Sequence, residues 1–121
     1  MRILKADAFL ALPENTVYAM FAHGQMGPLC IKGTTNAALR QFLYSEISVA
    51  IVRHIGTDPL TSLALAHETG EAIEMDFETM NLEREVMDKQ LFMVWDRADV
   101  VGLVRRLVDC LAHVPERAET W

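Results

Sequence analysis

The chain has 121 residues, 51% of them hydrophobic and 23% charged, with 11 Lys and Arg against 17 Asp and Glu and a formal net charge of −6. A chain of this size buries about two-thirds of the surface its unfolded form exposes, so it needs no metal or disulfide to hold a core, and it is too apolar to be disordered. The acidic balance argues against direct nucleic-acid binding through phosphate neutralisation and against an anionic membrane surface.

The elements read in chain order as one domain spanning residues 1–121, without repeat or linker. Asp7 to Leu12 carries Phe9, Leu10 and Leu12 and stops at Pro13, which predicts a short helix followed by a turn at Pro13-Glu14-Asn15. Thr16 to His23 is rich in β-branched and aromatic residues, which predicts a strand; Leu29 to Gly33 reads as its hairpin partner, with Gly24-Gln25-Met26-Gly27 as the connecting loop. Residues 39–55 fit both periods, and a strand is the favoured reading. Leu39, Leu43, Ile47 and Ala50 have helical spacing, whereas Phe42, Tyr44 and the run Ile47 to Val52 favour a strand.

Asp58 before Pro59 predicts a helix start, and Gly70 predicts its end after Thr69, with Leu60, Leu63, Ala64 and His67 on one face. In Ala72 to Glu78 the apolar Ile73, Met75 and Phe77 alternate with Glu74, Asp76 and Glu78. This is the pattern of a half-buried strand with an outward ladder of carboxylates. Leu91 to Trp95 is apolar throughout, as a strand covered on both sides would be. The last helix begins at Asp96, whose carboxylate can cap the first turn, while Asp99 three residues on suits the positive end of the helix dipole. Val100, Leu103, Val104, Leu107, Val108 and Leu111 then form a single apolar stripe. Together these predict an α+β fold: a mostly antiparallel sheet of four to five strands, a short N-terminal helix, a middle helix and a long C-terminal helix.

Charge is distributed unevenly along this framework. From Glu68 to Lys89 there are eight acids against two bases, whereas the rest of the chain holds nine of each, so about a fifth of the length carries the whole net charge. The candidate partner-binding residues are therefore Glu71, Glu74, Asp76, Glu78, Glu83, Glu85 and Asp88. Alternate outward residues of a strand lie about 7 Å apart, close to the phosphate spacing of a nucleic-acid strand, so such a ladder suits a basic groove built for DNA or RNA.

Motifs of catalysis and metal binding are missing from the sequence. His67-Glu68-Thr69-Gly70-Glu71 has a glutamate where a helical zinc site needs its second histidine, and His23, His54 and His113 are scattered. Cys30 and Cys110 lack metal spacing and are expected to be reduced thiols in the interior, with a single bridge between them as the alternative; His113 lies three residues from Cys110, a pairing more typical of a thiol beside a surface imidazole than of a catalytic couple. No cofactor or metal is called for and no enzyme is expected. Arg2, Lys5 and Asp7 interrupt the apolar run that a signal peptide requires, and no stretch is long enough to span a bilayer, so the expected location is cytoplasmic.

The opening Phe9 to Ala19 with Gly27 to Gly33, and the close Gln90 to Asp96 leading into the last helix, resemble small accessory proteins of tailed bacteriophages. The resemblance covers the two ends of the chain and rests on structural motifs, so it assigns no site residues. Small acidic phage proteins of this kind are similar to anti-CRISPR and other anti-defence proteins, which act as stoichiometric binders. The resemblance thus implies an inhibitor of a bacterial defence protein or ribonucleoprotein complex with a basic groove, acting in the host cytoplasm. The alternatives are an oligomeric sponge for a nucleotide signal, with Arg40, Arg53, Arg105 or Arg106 as anion contacts, and a small homodimeric accessory protein without catalysis.

Overall fold

The computed structural model describes residues 1–22, 24–48, 51–52, 59–71, 75–77 and 82–114. In chain order the elements are β1 (Arg2–Lys5), α1 (Ala6–Leu10), β2 (Val17–Ala22), β3 (Gln25–Asn36), β4 (Gln41–Glu46), β5 (Ile51–Val52), α2 (Pro59–Thr69), β6 (Met75–Asp76), β7 (Leu82–Glu85), β8 (Leu91–Val94) and α3 (Arg97–Leu111). They fall into two compact units, Met1–Val49 with Thr79–Arg106 and Ala50–Glu78 with Leu107–Trp121.

The first unit is built on a six-stranded antiparallel sheet of order β1-β8-β2-β3-β4-β7. The α+β class stands, but the count of four to five strands is too low. The charged opening segment is an edge strand, β1, because Arg2 to Lys5 pair with Val94 to Leu91 at the far end of the chain. Leu82–Glu85, within the acidic stretch from Glu68 to Lys89, forms β7 at the opposite edge.

The β2–β3 hairpin is also longer than its sequence suggested. Gly24 turns the chain at a φ of 72°, and Gln25 to Gly27, expected in the loop, already belong to β3. The register slips by one residue here, so that Gly27 and Pro28 together face Met20. A bulge of this kind accommodates a proline, which has no N–H to give to a ladder. A second slip places Gly33 and Thr34 against Leu43. A Cβ on Gly33 would lie 3.0 Å from the Leu43 Cβ and 3.1 Å from its carbonyl oxygen, so only glycine lets the two strands approach this closely.

These two irregularities sit where the sheet curls. Phe92 on β8 and Phe42 on β4 are three strand spacings apart, about 14 Å in a flat sheet, yet their ring centroids are 6.1 Å apart. Into this concave face α1 inserts Phe9, which is fully buried, stacked on Phe92 at 3.9 Å and tilted against Tyr18 and Phe42 at 4.7 and 5.1 Å. Tyr18, Cys30, Phe42, Val86, Phe92 and Val94 complete the core around it. Phe92 and Val94 of β8 are buried but Leu91 and Met93 only half-buried, so the strand expected to be covered on both faces is fully covered on one.

The end of α1 is held by a buried base. Lys32, 1% exposed, donates from Nζ to the carbonyls of Leu12 (3.0 Å) and Gly33 (3.2 Å) and to Thr35 Oγ1 (2.6 Å). Thr35 Oγ1 donates in turn to the carbonyl of Leu10, the last residue of the helix (3.1 Å). The Phe9 carbonyl accepts from the Leu12 N–H at 3.0 Å, and the two side chains take up the carbonyls at and just beyond the helix end, Thr35 that of Leu10 and Lys32 that of Leu12.

In the second unit, β5 and β6 form a two-stranded antiparallel ribbon, pairing Ile51 with Asp76 and Val52 with Met75. Of the expected long strand in residues 39–55, Gln41–Glu46 belongs to the main sheet, Ile47 and Ser48 turn, and Ile51–Val52 belongs to this ribbon. The half-buried strand expected over Ala72 to Glu78 is also corrected: Met75 and Phe77 are 50% and 69% exposed, because a two-residue ribbon presents no apolar layer to pack. Helix α2 starts at Pro59 and ends before Gly70, whose φ of 72° is the left-handed stop expected of it; the Asp58 cap lies outside the described residues. Its expected inner face is exposed, at 79% for Leu60 and 47% for Leu63, and Ala66 is buried instead. Apolar residues run almost all round this helix, so periodicity had no single face to select.

Helix α3 starts as expected. Asp96 and Asp99 cap it reciprocally, the Asp99 N–H donating to Asp96 Oδ1 at 3.1 Å and the Asp96 N–H to Asp99 Oδ2 at 3.0 Å. Its apolar stripe stays outside the core: Val100 and Leu103 are half-buried, while Val104, Leu107, Val108 and Leu111 are 52 to 68% exposed.

Candidate functional site

The acidic candidates divide between the units. In the second, Glu71 is exposed just beyond α2, Asp76 lies in β6, and Glu74 and Glu78 lie outside the described residues. In the first, alternation along β7 turns Leu82 and Arg84 to the concave face and sets Glu83 and Glu85 on the other, where both are exposed, opposite Leu43 and Gln41. Asp88 follows β7 and has a partner: Arg40 reaches it at 3.4 Å while holding Asp7 at 2.7 Å. The structure thus brings Glu83 and Glu85 together on an open sheet edge. The same ion pairs occupy Arg40, one of the four arginines considered as nucleotide contacts; Arg105 and Arg106 are exposed on α3, and Arg53 lies outside the described residues.

The groups with altered proton affinity are elsewhere, on the concave face. The Tyr18 hydroxyl is buried without a hydrogen-bond partner, and burial, with the Cys30 thiol beside it, drives its pKa far above the ordinary 10.0. Burial also pushes the Cys30 thiol up from 9.0, reinforced by Glu46, which favours the protonated thiol over the thiolate. Burial pulls the Lys32 ammonium below 10.5, opposed by Glu14. Cys110 is exposed, and both cysteines are free thiols. The structure links His113 to Cys110 through the backbone, the His113 N–H donating to the Cys110 carbonyl at 2.9 Å. Among the described residues no three His, Cys, Asp or Glu side chains gather to hold a metal, and no helix is long and apolar enough to cross a membrane.

The signs of these shifts predict an alkaline loss of stability. Above pH about 9 the unfolded chain ionises Cys30 and then Tyr18 while the folded protein keeps both protons, so stability falls as pH rises. Lys32 acts oppositely, since the folded state releases its proton first and stability recovers up to 10.5. Tyr18→Phe removes one of the two acid contributions. Urea titrations at about pH 7.5 and about 10.5 are expected to show a smaller drop for Y18F than for the unsubstituted chain; equal drops would exclude Tyr18 as a source of the decline.

Sequence reasoning did not single out Arg84, Glu46 or Lys32 as functional or core residues. The alternation Leu82-Glu83-Arg84-Glu85-Val86 was the available signal for Arg84, because it sets the arginine on the same face as two apolar residues. Compared with protein-family models, curated proteins and solved structures, the chain matches none of them.

Proposed function

We propose that the chain is a stoichiometric protein binder without catalysis that sets its acidic edge strand β7 against a basic cleft, in the manner of phage-encoded inhibitors of bacterial defence complexes of the anti-CRISPR kind. One observation carries this reading: β7 is the outer strand of the sheet, and Glu83 and Glu85 are exposed together on it. An edge strand offers unpaired backbone N–H and C=O groups to an incoming strand. The carboxylates beside it add attraction toward Lys and Arg, which raises the association rate and selects a cationic partner. The partner class that fits is a protein or ribonucleoprotein complex whose groove is lined with basic residues.

The test is Glu83→Lys with Glu85→Lys, two changes to exposed side chains that leave the core untouched. Affinity capture from a bacterial lysate at low salt is expected to retain a defence complex on the unsubstituted chain, to lose it as salt rises, and to retain none on the double variant, whose circular dichroism and Tm stay unchanged. Equal capture by the double variant would refute the acidic-edge mechanism.

A further inference from the structure

The concave face of the first unit holds a cavity of about 230 Å³ at the open side of the core, lined by Met20, Met26, Pro28, Cys30, Glu46 and Arg84 among others. Two opposite charges meet it without meeting each other. Arg84 and Glu46 are both half-buried, and neither makes an ion pair with the other or with any described residue.

The arginine is fixed in place. Although it stands on β7, it crosses the curled sheet to donate from Nη1 to the Met20 sulfur on β2 and from Nη2 to the Tyr44 hydroxyl at 3.1 Å. Its guanidinium carbon lies 4.5 Å from the centre of the Tyr44 ring. Clamped and stacked in this way, a guanidinium with five N–H groups still has donors to offer, and little side-chain entropy remains to be lost when a carboxylate arrives. Glu46, beside Cys30 in the next strand, accepts no hydrogen bond from any described residue. Apart from Gln25, the rest of the lining is largely thioether, proline ring and thiol, and methionine adapts its shape to an apolar group.

We propose that this cavity binds a small zwitterion, a free amino acid with an apolar side chain, its carboxylate on Arg84 and its ammonium on Glu46. A cation alone would leave Arg84 unmatched and an anion alone would leave Glu46 unmatched, whereas a dipolar ligand satisfies both without net charge. The volume falls below the roughly 300–1,000 Å³ of sites for larger ligands and suits a molecule of amino-acid size.

Isothermal titration of the full chain with each of the twenty amino acids, at concentrations up to about 10 mM, tests the assignment. Saturable binding of at least one apolar amino acid is expected. Its methyl ester, which lacks the carboxylate, and its N-acetyl form, which lacks the ammonium, should each bind at least tenfold more weakly. Glu46→Gln should weaken the parent amino acid by a similar factor, and since the Glu46 carboxylate holds no other group in place among the described residues, this variant is expected to keep the fold. The two ligand derivatives need no variant at all. No binding across the panel, or binding indifferent to esterification, acetylation or E46Q, overturns the proposal.

Discussion

Phe9→Ala is expected to destabilise the protein by about 3–5 kcal/mol, the cost of truncating a fully buried phenylalanine. A domain of this size has about 5–15 kcal/mol in total, so the variant should be largely unfolded well below the denaturant midpoint of the unsubstituted chain. The reason is geometric. The curled sheet closes around one side chain, and Phe9 touches the rings of Phe92, Tyr18 and Phe42, which come from three different strands. A five-residue helix has no stability of its own, so without this ring nothing drives α1 onto the concave face. Urea unfolding followed by tyrosine and tryptophan fluorescence measures the effect. A loss below about 1 kcal/mol would mean that the aromatic cluster does not hold the sheet in its curled form.

The second large effect is expected at Lys32, where two opposed contributions must be weighed. Burying the ammonium with no carboxylate in contact costs stability, as its lowered pKa records. Against this stand three hydrogen bonds from a charged donor, about 1.5–3 kcal/mol each, and the loss incurred if the half-buried Leu12 and Gly33 carbonyls are left without this donor. The hydrogen bonds prevail because all three ammonium protons have acceptors. Lys32→Met keeps the aliphatic stem and removes only the donors, so it should cost about 2 kcal/mol. Lys32→Ala also opens a cavity, and should cost about 3–5 kcal/mol. The order K32A worse than K32M, with both below the unsubstituted chain in equilibrium unfolding, is the expected result. If K32M were the more stable protein, the buried charge would be a net burden and the support of α1 would lie elsewhere.

The parts of the fold that were legible in the sequence are those decided within a few residues. The Asp96 and Asp99 cap, the left-handed Gly70, the proline start of α2 and the β2–β3 hairpin all follow from short-range chemistry that works in any tertiary setting. The segregation of charge was equally plain, and two of its acids, Glu83 and Glu85, stand together on the edge of the sheet. What could not be read was pairing over distance. Arg2 to Lys5 have no strand signature of their own and become β1 because β8 lies beside them. Leu82 to Glu85 contain three charges in four residues, and form a strand because β4 supplies the partner.

Burial was the second illegible property. Lys32 and Arg84 have the residue types of a surface, yet one lies inside the core and the other spans it, while the apolar stripe of α3 stays largely exposed. A sequence pattern reports which side chains share a face, and it reports this well. Whether that face looks inward depends on the curl of the sheet, set by two bulges and by the glycine and proline residues in them. By itself, then, the chain determined its α+β class, its turns and caps and the position of its charge. Only the tertiary structure decided which residues the concave face encloses, because enclosure arises from strands that meet in space after long separation along the chain.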